Sequence, residues 1–185
     1  MEFPALATLD LSTLRWLRSG TTPPEFRLSA GDQPVLRLVW AKGTGSVAQA
    51  EYAGGGWTFA RGGFLNPHLT AHTPDGKETA RLVVHLNHHA IELAGGPTYR
   101  FHRAGVLVPA WKVDGPDGAE CLHIEPVREG RELAGGAVVT SPAASKRPEL
   151  PLLLALSWYV IVLAWFEDEA LVPFEGPDAP PTASP

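Results

Sequence analysis

Leu150-Pro151-Leu152-Leu153-Leu154-Ala155-Leu156-Ser157-Trp158-Tyr159-Val160-Ile161-Val162-Leu163-Ala164-Trp165-Phe166 contains no charged residue, and only Pro151 and Ser157 fall outside the apolar and aromatic set. Pro151 suits a first helical turn, and no Gly or Pro follows it, so the run predicts a helix over about 151–167. A helix that is apolar all round must be covered on every side, by a protein core or by a bilayer. Seventeen residues at about 1.5 Å each give roughly 25 Å, short of the ~30 Å hydrocarbon thickness. As a tail anchor the run would place Lys146 and Arg147 on the cytoplasmic side, in accord with the positive-inside rule, but Trp158 and Tyr159 near mid-bilayer, where such rings are not concentrated. As a core element it would thread a closed β-barrel, and Tyr159 O–H and Trp158 N–H would each need a partner inside. The core is the favoured reading and the anchor its alternative.

Upstream, from Phe26 to Val139, short alternating runs such as Leu36-Arg37-Leu38, Trp57-Thr58-Phe59, and Leu82, Val84 and Leu86 set against Arg81 and His85, are punctuated by turn candidates. These include Gly31-Asp32, Gly54-Gly55-Gly56, Pro74-Asp75-Gly76, Gly95-Gly96, Asp117-Gly118 and Gly135-Gly136. Period-2 alternation with this spacing is the pattern of an antiparallel sandwich or barrel. Leu9–Arg18 suits a helix by Leu11, Leu14 and Arg18, and a strand by its Thr and Trp. The expected fold is mainly β: a closed antiparallel β-barrel of about 10–12 strands around a hydrophobic C-terminal central helix. A barrel of that width needs a central element to fill it.

The 185 residues fit one domain, expected over residues 1–169 with Ser141–Pro148 as the linker into the helix. With 44% apolar residues, 19 Gly and 18 Pro but no Gly-X-Y period, the chain is neither collagen-like nor disordered throughout. The net charge of −5 is unevenly spread. Residues 167–185 hold five of the 20 acids and none of the 15 bases, leaving residues 1–166 neutral. Residues 170–185 read as a disordered, acidic, Pro-rich tail. A neutral body offers no basic stripe, which argues against nucleic acid as a partner. Met1–Gly20 does not read as a secretory signal, and the single Cys121 forbids an intrachain disulfide. The expected location is the cytoplasm, in solution or associated with a membrane.

No catalytic or cofactor signature emerges. His85, His88, His89 and Glu92 superficially suggest a cupin-type metal site, but adjacent His88 and His89 point to opposite faces of a strand, and Asn87-His88-His89 reads better as a hairpin turn. A solvated polar face accounts for these histidines, and for His68 and His72. Gly43-Thr44-Gly45-Ser46-Val47-Ala48 matches a loose nucleotide fingerprint without the helix or later acid that motif requires, so it reads as a connection. Cys121, with His123 two residues on, reads as a buried strand residue and not as a nucleophile. Arg61, Arg100, Arg103 and Lys112 are the candidate contacts for an anionic head group, against the simpler alternative of solvated strand faces.

Gly56-Trp57-Thr58-Phe59-Ala60-Arg61-Gly62-Gly63-Phe64, Tyr99-Arg100-Phe101, Trp111–Gly118 and the closing Leu150–Phe166 run together resemble the tubby-like superfamily, which includes phospholipid scramblases and LURP-one-related proteins. The likeness covers most of Phe26–Glu169 by pattern. It implies a twelve-stranded barrel around a central helix and, for some members, membrane or phosphoinositide association. The cysteine cluster of the scramblases is missing, and the phosphoinositide-binding Lys and Arg of tubby proteins have no clear counterparts here. The expected function is a non-enzymatic module contacting a phospholipid surface or a protein. A tail-anchored protein with a cytoplasmic β domain and a histidine-metal enzyme are the alternatives.

Overall fold

A computed structural model describes residues 3–4, 6, 9–41, 46–62, 68–85, 88–105 and 109–166. The tail at 170–185, the glycines at 43 and 45, and Asn87 of the expected histidine hairpin lie outside the described residues. Twelve strands run in chain order: β1 (Thr13–Thr21), β2 (Pro24–Ala30), β3 (Gln33–Trp40), β4 (Ala48–Tyr52), β5 (Gly55–Gly62), β6 (His68–His72), β7 (Glu78–Val84), β8 (His89–Leu93), β9 (Thr98–Ala104), β10 (Ala110–Asp114), β11 (Glu120–Glu129) and β12 (Glu132–Thr140). Each pairs antiparallel with the next, and β12 returns to β1 from Thr13↔Val139 to Leu17↔Gly135. The sheet is therefore a closed barrel. Closure pairs every strand on both sides, which removes the exposed edges that invite aggregation.

The expected helix is α1 (Leu150–Phe166), reached from β12 through a 3-10 turn at Ala144–Lys146. Leu150–Ala164 is buried without a break. Trp158 lies parallel to Trp16 of β1, ring centroids 5.3 Å apart, and edge-on to Phe26 of β2 at 5.6 Å. Tyr159 stacks on Trp40 of β3 at 5.8 Å and on Phe59 of β5 at 5.2 Å. Successive helical residues are about 100° apart, so these two rings reach different walls. Val160 and Leu163 face Leu69, Leu82 and His89, while Ile161 faces Trp111 and Pro126. The helix is the core of the barrel, and an apolar surface all round is what that position demands. Among the described residues no helix is long and apolar enough to cross a membrane.

Several expectations change. Leu9–Arg18 contributes to a strand, because Leu14 and Trp16 point inward while Thr13, Arg15 and Leu17 point outward. Gly135-Gly136 is no turn but the middle of β12. A Cβ on Gly135 would lie 2.1 Å from the Trp16 carbonyl oxygen, and one on Gly136 would lie 2.8 Å from the Trp158 ring. The pair lets β1 and the helix approach β12 closely. The true β11–β12 turn is at Gly130, whose φ of 62° requires the left-handed conformation that glycine adopts without strain. Tyr159 O–H donates to the Ser46 carbonyl as expected, whereas Trp158 Nε1 has no hydrogen-bond partner among the described residues. The indole is wedged between Trp16 and Phe26, and ring packing replaces the polar contact.

On the outer wall, Glu25 accepts from Arg37 at 2.7 Å, Ser19 at 2.9 Å and Arg27 at 3.0 Å. The Arg37 hydrogen bond is the main cause that lowers its carboxyl from 4.5 to about 2, against the opposing effect of burial. A lowered folded pKa stabilises the fold above the ordinary carboxylate range, and that contribution disappears as pH falls from there through about 2. Glu25→Gln is expected to cost about 1–2 kcal/mol at neutral pH, allowing for solvent screening of its half-exposed partners. Urea titrations of both chains from pH 7 to pH 2 should show the two stabilities converge in acid.

Candidate functional site

β9 and β11 carry their inward faces past the last packed layer of the core. On β9, Tyr99, Phe101 and Arg103 share the inner face, as Leu122, Ile124 and Arg128 do on β11. At the end of the barrel where α1 exits, these arginines and Arg131 of the β11–β12 turn open onto a cavity of about 410 Å³. Trp111, Trp165, Ile161 and Ala164 supply its apolar wall. An inward-facing arginine at a barrel mouth can bury its stem and keep its guanidinium in water.

The helix end holds this arrangement together. Trp165 Nε1 donates to the Arg131 carbonyl at 3.4 Å, and the Arg128 guanidinium lies 4.2 Å over the Trp165 ring. The last four carbonyls of a helix lack intrahelical partners and carry partial negative charge. With no basic residue in the last turn of α1 itself, strand-borne arginines supply the neighbouring positive charge. That accounts for one or two cations structurally. Three guanidiniums around one cavity, with no carboxylate among its described lining residues, exceed what a helix terminus needs. Among the described residues, neither Arg128 nor Arg131 forms a salt bridge.

The opposite end is built differently. There Lys146 and Arg147 border a cavity of about 380 Å³, but Arg147 donates to the Tyr99 hydroxyl at 3.2 Å and lies 3.9 Å from Glu149. Tyr99 in turn donates to Glu149, and burial, reinforced by that bond, pushes the phenol up to about 12. This positive charge already has a carboxylate beside it.

The four arginine and lysine candidates do not form one patch. Arg100 and Arg103, three apart on β9, leave opposite faces of the strand. Arg100 is exposed and sits opposite Asp114, and Lys112 on the outer face of β10 pairs with Glu120 at 2.6 Å. Arg61 shares the inner-face register of Trp57 and Phe59 but lies beside His68 and Leu69, in a separate depression. Only Arg103 belongs to the exit cavity. Arg128 and Arg131 were not singled out by the sequence reading, although their placement around Gly130 in a short turn was a usable signal.

The histidines are likewise dispersed. His85 and His88 stack at 4.9 Å, whereas His89 is 1% exposed inside the barrel, stacked near Phe101, and so does not lie on a solvated face. Its inward position in β8 forces the burial. Among the described residues no group of three His, Cys, Asp or Glu is placed to hold a metal ion. Cys121 is buried, which pushes its thiol up, and His123 interacts with Glu120 and Glu125.

The fold and the cavity define a closed β-barrel with a helical core and a cationic, tryptophan-lined mouth. No protein-family model, curated protein or solved structure matches the chain.

Proposed function

We propose that this protein is a non-enzymatic binding module whose exit cavity takes the phosphate-bearing head group of an anionic phospholipid. The single observation that carries this reading is the convergence of Arg103, Arg128 and Arg131 on one cavity beside Trp111 and Trp165 at the helix exit. Guanidinium groups match phosphate oxygens by charge and by forked geometry. Phe166, 53% exposed, stands beside Trp165 at the same rim, so an apolar tip accompanies the cations. A lipid surface supplies partners for both: phosphate for the arginines and interfacial hydrocarbon for the ring. The tubby-like resemblance points to the same class of ligand.

Vesicle flotation tests this directly. The chain is expected to float with phosphatidylcholine vesicles containing phosphatidic acid and to stay behind with phosphatidylcholine alone. At about 1 kcal/mol per cation near an anionic surface, Arg128→Gln with Arg131→Gln should weaken binding roughly thirtyfold. Both side chains are exposed, so the circular dichroism of the double variant should match the parent. Inorganic pyrophosphate that competes fully would indicate a soluble phosphate ligand instead. Equal recovery of parent and variant on both vesicles would end the proposal.

A further inference from the structure

Three of the five large apolar side chains exposed among the described residues lie on one stretch of the outer wall: Leu17 of β1 at 57%, Val127 of β11 at 51% and Val139 of β12 at 51%. Strand register brings them together. β12 pairs with β1 on one side and β11 on the other, which sets three outward rows across the wall: Thr13–Val139–His123, Arg15–Ala137–Glu125 and Leu17–Gly135–Val127. Gly135 carries no side chain, so Leu17 and Val127 flank a notch, and Ala137 and Val139 continue the apolar strip along the central strand. Single exposed apolar residues are ordinary, whereas a contiguous set rimmed by polar groups marks an interaction surface. The rim is charged with opposite sign on its two sides. Arg15 stands on the β1 side and Glu125 on the β11 side of Ala137, both exposed. Two strand spacings, about 10 Å, separate their strands, too far for the pair to meet across one wall. Among the described residues Arg15 forms no salt bridge, and Glu125 meets His123 at 3.1 Å.

We propose that the β1–β12–β11 wall is a self-complementary interface on which a second copy of this chain docks, with the two-fold axis along β12. Rotation about that axis carries β1 of one copy onto β11 of the other. Arg15 of each copy then faces Glu125 of the other, Leu17 faces Val127, Thr13 faces His123, and Val139 faces its own equivalent. Every contact off the axis is made twice, as a two-fold interface requires. An axis in the same plane but across the strands would set Arg15 on Arg15 and Glu125 on Glu125, and like charges in apposition count against it. The outer wall of a barrel is convex, which confines the contact to these three strands. At about 4.8 Å between strands and about 3.4 Å per residue, the patch is some 15 Å on a side. That is the small end of specific interfaces, so the dimer is weak and concentration-dependent. None of the residues placed in the contact lines the exit cavity, so the dimer stands or falls apart from the lipid reading.

Sedimentation velocity on the full chain, from about 5 to about 500 µM, should show a monomer giving way to a dimer. Arg15→Glu and Glu125→Arg each set like charges together twice, and each should weaken dimerisation about tenfold. The two changes in one chain restore opposite charges across the axis and should return the affinity to within about threefold of the parent. Both side chains are exposed, so circular dichroism and the thermal midpoint should be the same in all four chains. Cross-linking tests the axis itself. Cys121, the chain's single cysteine, is buried, so Val139→Cys introduces the one exposed thiol. Mild oxidation should join it to its equivalent in a covalent dimer, whereas Glu92→Cys, exposed on β8, should stay monomeric. A chain that is monomeric at the highest concentration overturns the proposal. So does a dimer that neither charge reversal weakens, which would place the interface elsewhere, or a loss in the single variants that the double variant does not recover.

Discussion

A chain ended at Glu149 is expected not to fold. The barrel walls turn Trp16, Phe26, Trp40, Phe59 and Trp111 inward, and α1 fills the space they enclose with residues that are themselves buried from Leu150 to Ala164. Burying one large apolar side chain is worth about 1.5–3 kcal/mol. Removing a helix with ten or so of them exceeds the ~5–15 kcal/mol by which a domain is normally stable. Expression of residues 1–149 should therefore give aggregated or unfolded material by size-exclusion chromatography and near-ultraviolet circular dichroism. A soluble chain with native-like aromatic signals would show that the barrel stands without its core, as the anchored alternative requires.

Trp158→Ala is expected to be among the most damaging single substitutions. It removes the indole stacked on Trp16 and packed edge-on against Phe26, leaving a cavity that the closed wall cannot collapse to fill. Large aromatic truncations in cores cost about 3–5 kcal/mol. The loss should appear as a fall in urea midpoint with little change in slope. Gly136→Ala tests the same contact from the wall, because its added methyl meets Trp158 at 2.8 Å and the Glu125 carbonyl oxygen at 2.9 Å. Trp158→Leu should relieve the first clash but not the second. The double variant should then be more stable than additivity predicts, yet less stable than Trp158→Leu alone.

The helix and the β body were legible because each writes a local period into the sequence: Leu150–Phe166 has no break, and runs such as Leu36-Arg37-Leu38 alternate strictly. β1 was ambiguous because Leu11, Leu14 and Arg18 satisfy the helical spacing, and only the sheet partner decides between the periods. Gly135-Gly136 misled for the opposite reason. Glycine marks turns, but here it answers a ring and a backbone from distant parts of the chain. The site was least legible. Arg103, Arg128 and Arg131 come together only after the strands close and Trp165 reaches the Arg131 carbonyl. One part was within reach, since strand alternation alone separates Arg100 from Arg103.

The order of elements along the chain also determines when the fold becomes possible. The Thr140 hydroxyl donates to the Leu11 carbonyl, β12 closes on β1, and the helix that fills the interior follows both in sequence. A growing polypeptide therefore carries twelve strands of inward-facing apolar side chains before the residues that cover them have been synthesised. Such long-range pairing makes folding slow, and unfilled intermediates expose surface that aggregates. The last turns of α1 act as a completion signal, and a translation product truncated before α1 lacks the means to hide its own interior.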